Sequence, residues 1–136
     1  MTIRLNPYLN FRDQSRAALE FYHSVLGGEL TIATFGDYGM SDDPDRADLV
    51  MHGHLVSDTG LDIMASDTPP GGDDPAMGTA INIALTGDDE RLRDYFTGLS
   101  DGAEVVVPLA PAPWGDEFGL LNDKFGVAWL FNVATS

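Results

Sequence analysis

The chain contains no cysteine. That excludes disulfides, thiolate nucleophiles and Cys-ligated metals, and it fits a cytoplasmic protein, the location we expect. Positive charge is scarce: 7 Lys and Arg face 22 Asp and Glu, for a formal net charge of −15. Binding to nucleic acid or an anionic membrane needs a basic footprint, so neither is an expected partner. The acid reads as a solubility device. No apolar run approaches the ~20 residues of a membrane span, and the opening residues Met1 to Asn6 lack the basic flank and apolar core of a signal peptide. Serine-triad, phosphate-loop and dinucleotide motifs are missing too: there is no Gly-x-Ser-x-Gly, no Gly-Lys-Ser/Thr and no Gly-x-Gly-x-x-Gly after a strand.

What the chain does have is an internal repeat. Laying Leu9 on Ile83 and running without a gap puts Phe21 on Tyr95, Tyr22 on Phe96, Val25 on Leu99 and Gly28 on Gly102. Farther on, Gly60 to Met64 falls on Gly126 to Leu130. Few identities survive, but the apolar pattern does. At 136 residues and 43% hydrophobic content the chain is large enough for one domain with a real core. Two copies of one unit predict a pseudo-symmetric domain with a cleft between its halves.

Pattern supplies the elements. Leu5 to Phe11 reads as a short strand, with Pro7 favouring its start or a sheet edge. Ser15 to Leu26 reads as a helix, with Asp13 as its N-cap, Gly27 and Gly28 as its stop, and one stripe of Ala18, Leu19, Phe21, Tyr22, Val25 and Leu26. Strands follow at 29–35, 48–56 and 61–66, the last two joined by a turn at 57–60. Residues 36–48 form a polar loop. The run Pro69 to Pro75 marks a linker over 68–78. Module two then restarts with a strand at 79–85, a helix at 89–99, and strands at 104–107, 119–121 and 127–133, with a loop over 108–119. The order is βαβββ twice, with module one at 1–67, module two at 79–136, and the whole of 1–136 one domain.

This order, with particular words in it, resembles the vicinal oxygen chelate superfamily of glyoxalases, bleomycin-resistance proteins and dioxygenases, and within it the PhnB-like branch. The words are Pro7-Tyr8-Leu9-Asn10-Phe11, Ala18-Leu19-Glu20-Phe21-Tyr22 leading to Leu26-Gly27-Gly28-Glu29-Leu30, Val50-Met51-His52-Gly53-His54-Leu55, Ile63-Met64-Ala65-Ser66-Asp67, Trp114 to Gly119, and Asp123 to Trp129. Lys124 departs from the Asp-Pro-Phe-Gly form common in the branch. The resemblance implies an α+β fold in which two βαβββ modules form one open curved mixed sheet around a cavity, in a homodimer. It implies no reaction, because one fold hosts many functions.

Metal-dependent members of the superfamily carry His, Glu or Gln ligands on the first and last strands of each module. The resemblance puts Asn6, Met64, Ala80 and Leu130 at those places. Amide, thioether and alkyl side chains do not replace imidazole and carboxylate, so we expect no metal and no cofactor.

His52 and His54 lie two apart on a strand and so share a face. They read either as cavity-lining groups for a polar ligand or as packed histidines. Trp114 follows Pro108, Pro111 and Pro113 in the long loop and either closes over a flat ligand or, with Asp116 capping backbone N–H groups, clamps the loop. Phe35, Tyr38 and Met40 border the polar loop as a candidate lid or as apolar anchors. His23 reads as a surface residue and Trp129 as core. The acids Asp42, Asp43, Asp45 and Asp48 lack an EF-hand pattern and read as a solvated loop.

Together these observations favour a metal-free binder of a small, largely apolar or aromatic molecule in a cavity between the modules, lined by His52, His54, Trp114 and Phe35, with no catalytic residue assigned. Two rivals stay open. One is a metal-dependent lyase or dioxygenase with a displaced ligand set, His52 or His54 with Asp62. The other is a drug-sequestering binder that holds cationic ligands in an acidic cleft.

Overall fold

Each half of the chain builds its own four-stranded mixed sheet with a helix across one face. The structure, a computed structural model, describes residues 4–41, 43–76, 78 and 80–135. The chain divides into two compact units, Met1–Ala76 and Met77–Ser136. Unit one contains β1 (Tyr8–Phe11), α1 (Ser15–Leu26), β2 (Glu29–Thr34), a 3-10 turn (Gly36–Tyr38), α2 (Pro44–Ala47), β3 (Val50–Val56) and β4 (Asp62–Asp67). Unit two contains β5 (Ile83–Gly87), α3 (Arg91–Leu99), β6 (Glu104–Pro111), β7 (Glu117–Asn122) and β8 (Ala128–Val133). The strand orders are β1-β4-β3-β2 and β5-β8-β7-β6. In each, the first strand runs parallel to the last and the other pairs are antiparallel. The βαβββ plan is therefore present twice, and the expected curved sheet takes the form of two separate ladders.

The helical stripes face the sheets as their spacing predicts. In unit one α1 packs on all four strands. It buries Ala18, Leu19, Tyr22 and Leu26 on the side that takes Phe11, Leu55, Ile63 and Ala65. In unit two α3 buries Leu92, Tyr95, Phe96 and Leu99, and Phe96 meets Phe131 edge-on at 5.2 Å. Trp129 is fully buried, in line with its reading as core. Each large side chain removed from water in this way contributes on the order of 1.5–3 kcal/mol before the entropy of ordering is counted.

Hydrogen bonding repeats along with the strands. Ser57 Oγ accepts the Leu61 N–H at 2.9 Å, and Asp123 Oδ1 accepts the Val127 N–H at 3.0 Å. Gly60 and Gly126 turn the chain at φ 85° and 87°, a region glycine enters without a Cβ clash. The first strands need one correction. Leu85 stands beside Phe131 as Leu9 stands beside Ala65, so the ladder aligns Leu9 with Leu85 rather than with Ile83. A slip of two residues is one full pleat and leaves every side chain on its expected face.

Other expectations are corrected as well. The module-two strand expected at 79–85 runs from Ile83 to Gly87, leaving Ala80 in a bend before it, and Thr79 lies outside the described residues. The loop expected at 108–119 is shorter, because β6 continues to Pro111 and β7 begins at Glu117. The loop at 36–48 holds the 3-10 turn and α2; Asp42 lies outside the described residues. Asp13 does not cap α1. The N-cap is Gln14, without a side-chain hydrogen bond, and the Ser15 N–H is accepted by Asp67 Oδ1 at 2.9 Å. His23 is half-buried rather than a plain surface residue, with Nε2 2.8 Å from the Gly28 carbonyl at the helix end.

Candidate functional site

Strand alternation decides what the open face of the unit-one sheet offers. On β3, Gly53 and Leu55 turn toward α1, which leaves His52 and His54 on the opposite face. Cross-strand pairing puts Thr31 and Met64 on either side of His54, Ala33 beside His52, and Tyr8 beside Met64. Tyr8, Met64, His54 and Thr31 thus form one row across the sheet.

Two polar pairs stand on this surface. The Tyr8 hydroxyl lies 3.2 Å from His52 Nδ1, with the rings 5.7 Å apart. His54 Nε2 is paired with Asp62 Oδ1, and the Asp62 carboxylate also has Arg4 Nη1 at 3.9 Å from its other oxygen. Asp62 lies diagonal to His54 across the β3–β4 ladder, within reach of a long side chain. The imidazole centroids of His52 and His54 are 6.4 Å apart. The two histidines found in the sequence therefore come together, each held by a second residue. Asp62 had been named only as part of a displaced metal set, and Tyr8 only as part of a motif word. The signal for both was period-two spacing, which put Tyr8 and Asp62 on the face of Met64 once the strand pairing was known.

The other candidates are not part of this row. Phe35 is buried at 3% exposure, and its N–H bonds the Leu49 carbonyl, so it packs in unit one and does not join the open-face row. Tyr38 and Met40 are exposed on the loop. Trp114 belongs to unit two, where it is 60% exposed, meets Phe118 edge-on at 5.3 Å and donates from Nε1 to Asn132 Oδ1 at 3.1 Å. Among the described residues Asp116 caps no backbone N–H with its side chain. Its Oδ2 accepts from Asn132 Nδ2 at 3.0 Å, and a Trp114–Asn132–Asp116 chain fixes the loop. Within unit one a cavity of about 200 Å³ opens at the ends of β1 and β4, beside Asn10, Ser66, Thr68 and Asp73.

The donor chemistry for a divalent ion is poor. Met64 and Leu130 sit on their last strands, Asn6 and Ala80 precede their first strands, and the first-strand residues that pair with Met64 and Leu130 are Tyr8 and Ala84. Thioether, methyl and phenol do not make a hard-ion site. Among the described residues no group of three or more His, Asp and Glu side chains is arranged to hold a metal. In the displaced set, one nitrogen of each histidine already faces Asp62 or Tyr8.

Comparison with known proteins fits this architecture. Residues 4–131 match the profile of the Glyoxalase/Bleomycin resistance protein/Dioxygenase superfamily. The chain is 31% identical to Protein YjdN of Escherichia coli K12, over 95% of this chain and 94% of that one. Among solved structures, protein PA1353 from Pseudomonas aeruginosa superposes with a TM-score of 0.83 at 35% identity, covering 99% and 100% of the two chains. The PhnB protein of Bacillus cereus has the same fold, with a TM-score of 0.76 at 23% identity over 97% and 100%. The chain belongs to the Glyoxalase/Bleomycin resistance protein/Dioxygenase superfamily.

Proposed function

We propose that this chain binds a small, largely apolar or aromatic molecule on the open face of the unit-one sheet, without the help of a divalent metal ion. The observation that carries the reading is the row of Tyr8, Met64, His54 and Thr31, with His52 held by Tyr8 and His54 held by Asp62. Small-ligand sites combine apolar area with a few oriented polar groups. Here Met64 and Ala33 supply the first and two pinned imidazoles the second. The donor set at the superfamily's ligand positions supports the metal-free part of the reading.

The test is a titration of untagged protein with 1-naphthol, followed by NMR of the histidine imidazoles and the Met64 methyl group. Saturable shifts at His52, His54 and Met64, with affinity falling about tenfold in His52→Ala, are the expected result. Shifts that leave His52, His54 and Met64 unmoved, or no shift at all, would contradict the reading.

Homodimerisation belongs to the same proposal. Sheet edges need covering, and edge strand β6 exposes Val105 and Val106. Light scattering should show a dimer at micromolar concentration; a monomer counts against it.

A further inference from the structure

The two pinned imidazoles are not equivalent, and the difference specifies a ligand. An ionised carboxylate only accepts hydrogen bonds, so Asp62 places the His54 hydrogen on Nε2. In the neutral ring this leaves Nδ1 as a bare acceptor. At His52 the contact is through the other nitrogen: Nδ1 faces the Tyr8 hydroxyl at 3.2 Å. With the Tyr8 hydroxyl as donor to that nitrogen, the His52 hydrogen lies on Nε2, which becomes the ring's donor. Neither His52 Nε2 nor His54 Nδ1 has a protein partner among the described residues, and neither is a buried unpartnered atom. One donor and one acceptor therefore stand on the same sheet face, on rings whose centroids are 6.4 Å apart.

We propose that His52 and His54 read a hydrogen-bonding edge, so that the ligand carries a carbonyl oxygen next to an N–H or O–H, as a lactam or an α-hydroxycarbonyl compound does. The carbonyl accepts from His52 Nε2 and the neighbouring N–H or O–H donates to His54 Nδ1. The apolar body of the ligand then lies along Met64 and Ala33. Tyr8 and Asp62 are positioning residues that fix which nitrogen of each ring carries hydrogen. This inference rests on the open-face binding reading above and adds the polar chemistry of the ligand to it.

The experiment compares 2-pyridone, which presents a lactam edge, with N-methyl-2-pyridone, which keeps the carbonyl and ring but lacks the donor. Both are titrated at about pH 8.5 and followed by imidazole ¹⁵N shifts. The wild-type protein should bind 2-pyridone roughly tenfold more tightly, because the methylated ring leaves His54 Nδ1 unmatched. His54→Phe should remove that preference. A phenyl ring fills similar space, so a preference due only to the bulk of the methyl group would persist in the variant. Equal wild-type affinities, or a preference that survives His54→Phe, would overturn the proposal. If neither pyridone binds while 1-naphthol does, the edge-reading fails and the binding face stands; if 1-naphthol fails too, both fall.

Discussion

Asp67, the last residue of β4, accepts the backbone N–H of Ser15, the first residue of α1, at 2.9 Å. Its second carboxylate oxygen accepts the Val50 N–H at 2.8 Å, and the side chain is almost fully buried. One carboxylate thus ties the start of the helix to the start of β3 and the end of β4. Asp67→Asn keeps one acceptor and turns an N–H donor toward a backbone donor. We expect it to destabilise the protein by about 2 kcal/mol in urea denaturation, with an unchanged m-value.

Close packing at Gly53 leads to a second prediction. A methyl group at this position, between His52 and His54, would run into Leu19 Cδ1 of α1. The end of a leucine can move, so Gly53→Ala should cost about 1–3 kcal/mol by overpacking and leave the fold intact. Gly28→Ala should be worse. It forces a side chain onto φ 93° and drives the new carbon into the Val56 carbonyl and the Ser57 backbone, which cannot rotate away. Parallel thermal melts should rank Gly28→Ala as the less stable protein, and the reverse order would contradict the packing described here.

A third prediction concerns acid. Hydrogen bonds from the Arg91 side chain, and then from its backbone N–H, hold Asp89 down at about 2, below the ordinary carboxylate value of 3.8. A depressed carboxylate stabilises the folded state above its unfolded value near 4 and loses that contribution as pH falls toward 2. Because Asp89 is exposed, the effect on overall stability should be small, and its own titration is the better readout. Carboxyl ¹³C NMR should give Asp89 a midpoint of about 2. Arg91→Met should return it toward the ordinary range, and an unshifted midpoint in the wild type would refute the pairing.

The fold was largely legible because its signals are periodic. The stripe from Ala18 to Leu26, the shared face of His52 and His54, and the turn that ends at Gly60 each follow from local geometry. What stayed hidden depends on partners distant in sequence. Asp67 looked like the end of a strand, and only its pairing across 52 residues reveals it as the cap of α1 in place of Asp13. Phe35 looked like the rim of a lid, yet it packs inside unit one, because apolar composition beside a loop does not say which way a ring turns. The shared face of His52 and His54 could be read from their spacing; the Tyr8 and Asp62 contacts that distinguish one ring from the other could not.

Metal content tests the central claim most directly. Asn6 and Ala80, the first-strand positions the superfamily resemblance implies, and Tyr8 and Ala84, which pair with Met64 and Leu130, all lack imidazole and carboxylate, so an ion there would give up its water shell without gaining comparable donors. Untagged protein, analysed as purified by inductively coupled plasma mass spectrometry, should carry far less than one equivalent of Zn, Ni, Fe, Mn or Co per chain, and its melting temperature should not move with chelator. Stoichiometric metal that disappears on replacing His52 or His54 would contradict the account and establish the displaced ligand set in its place.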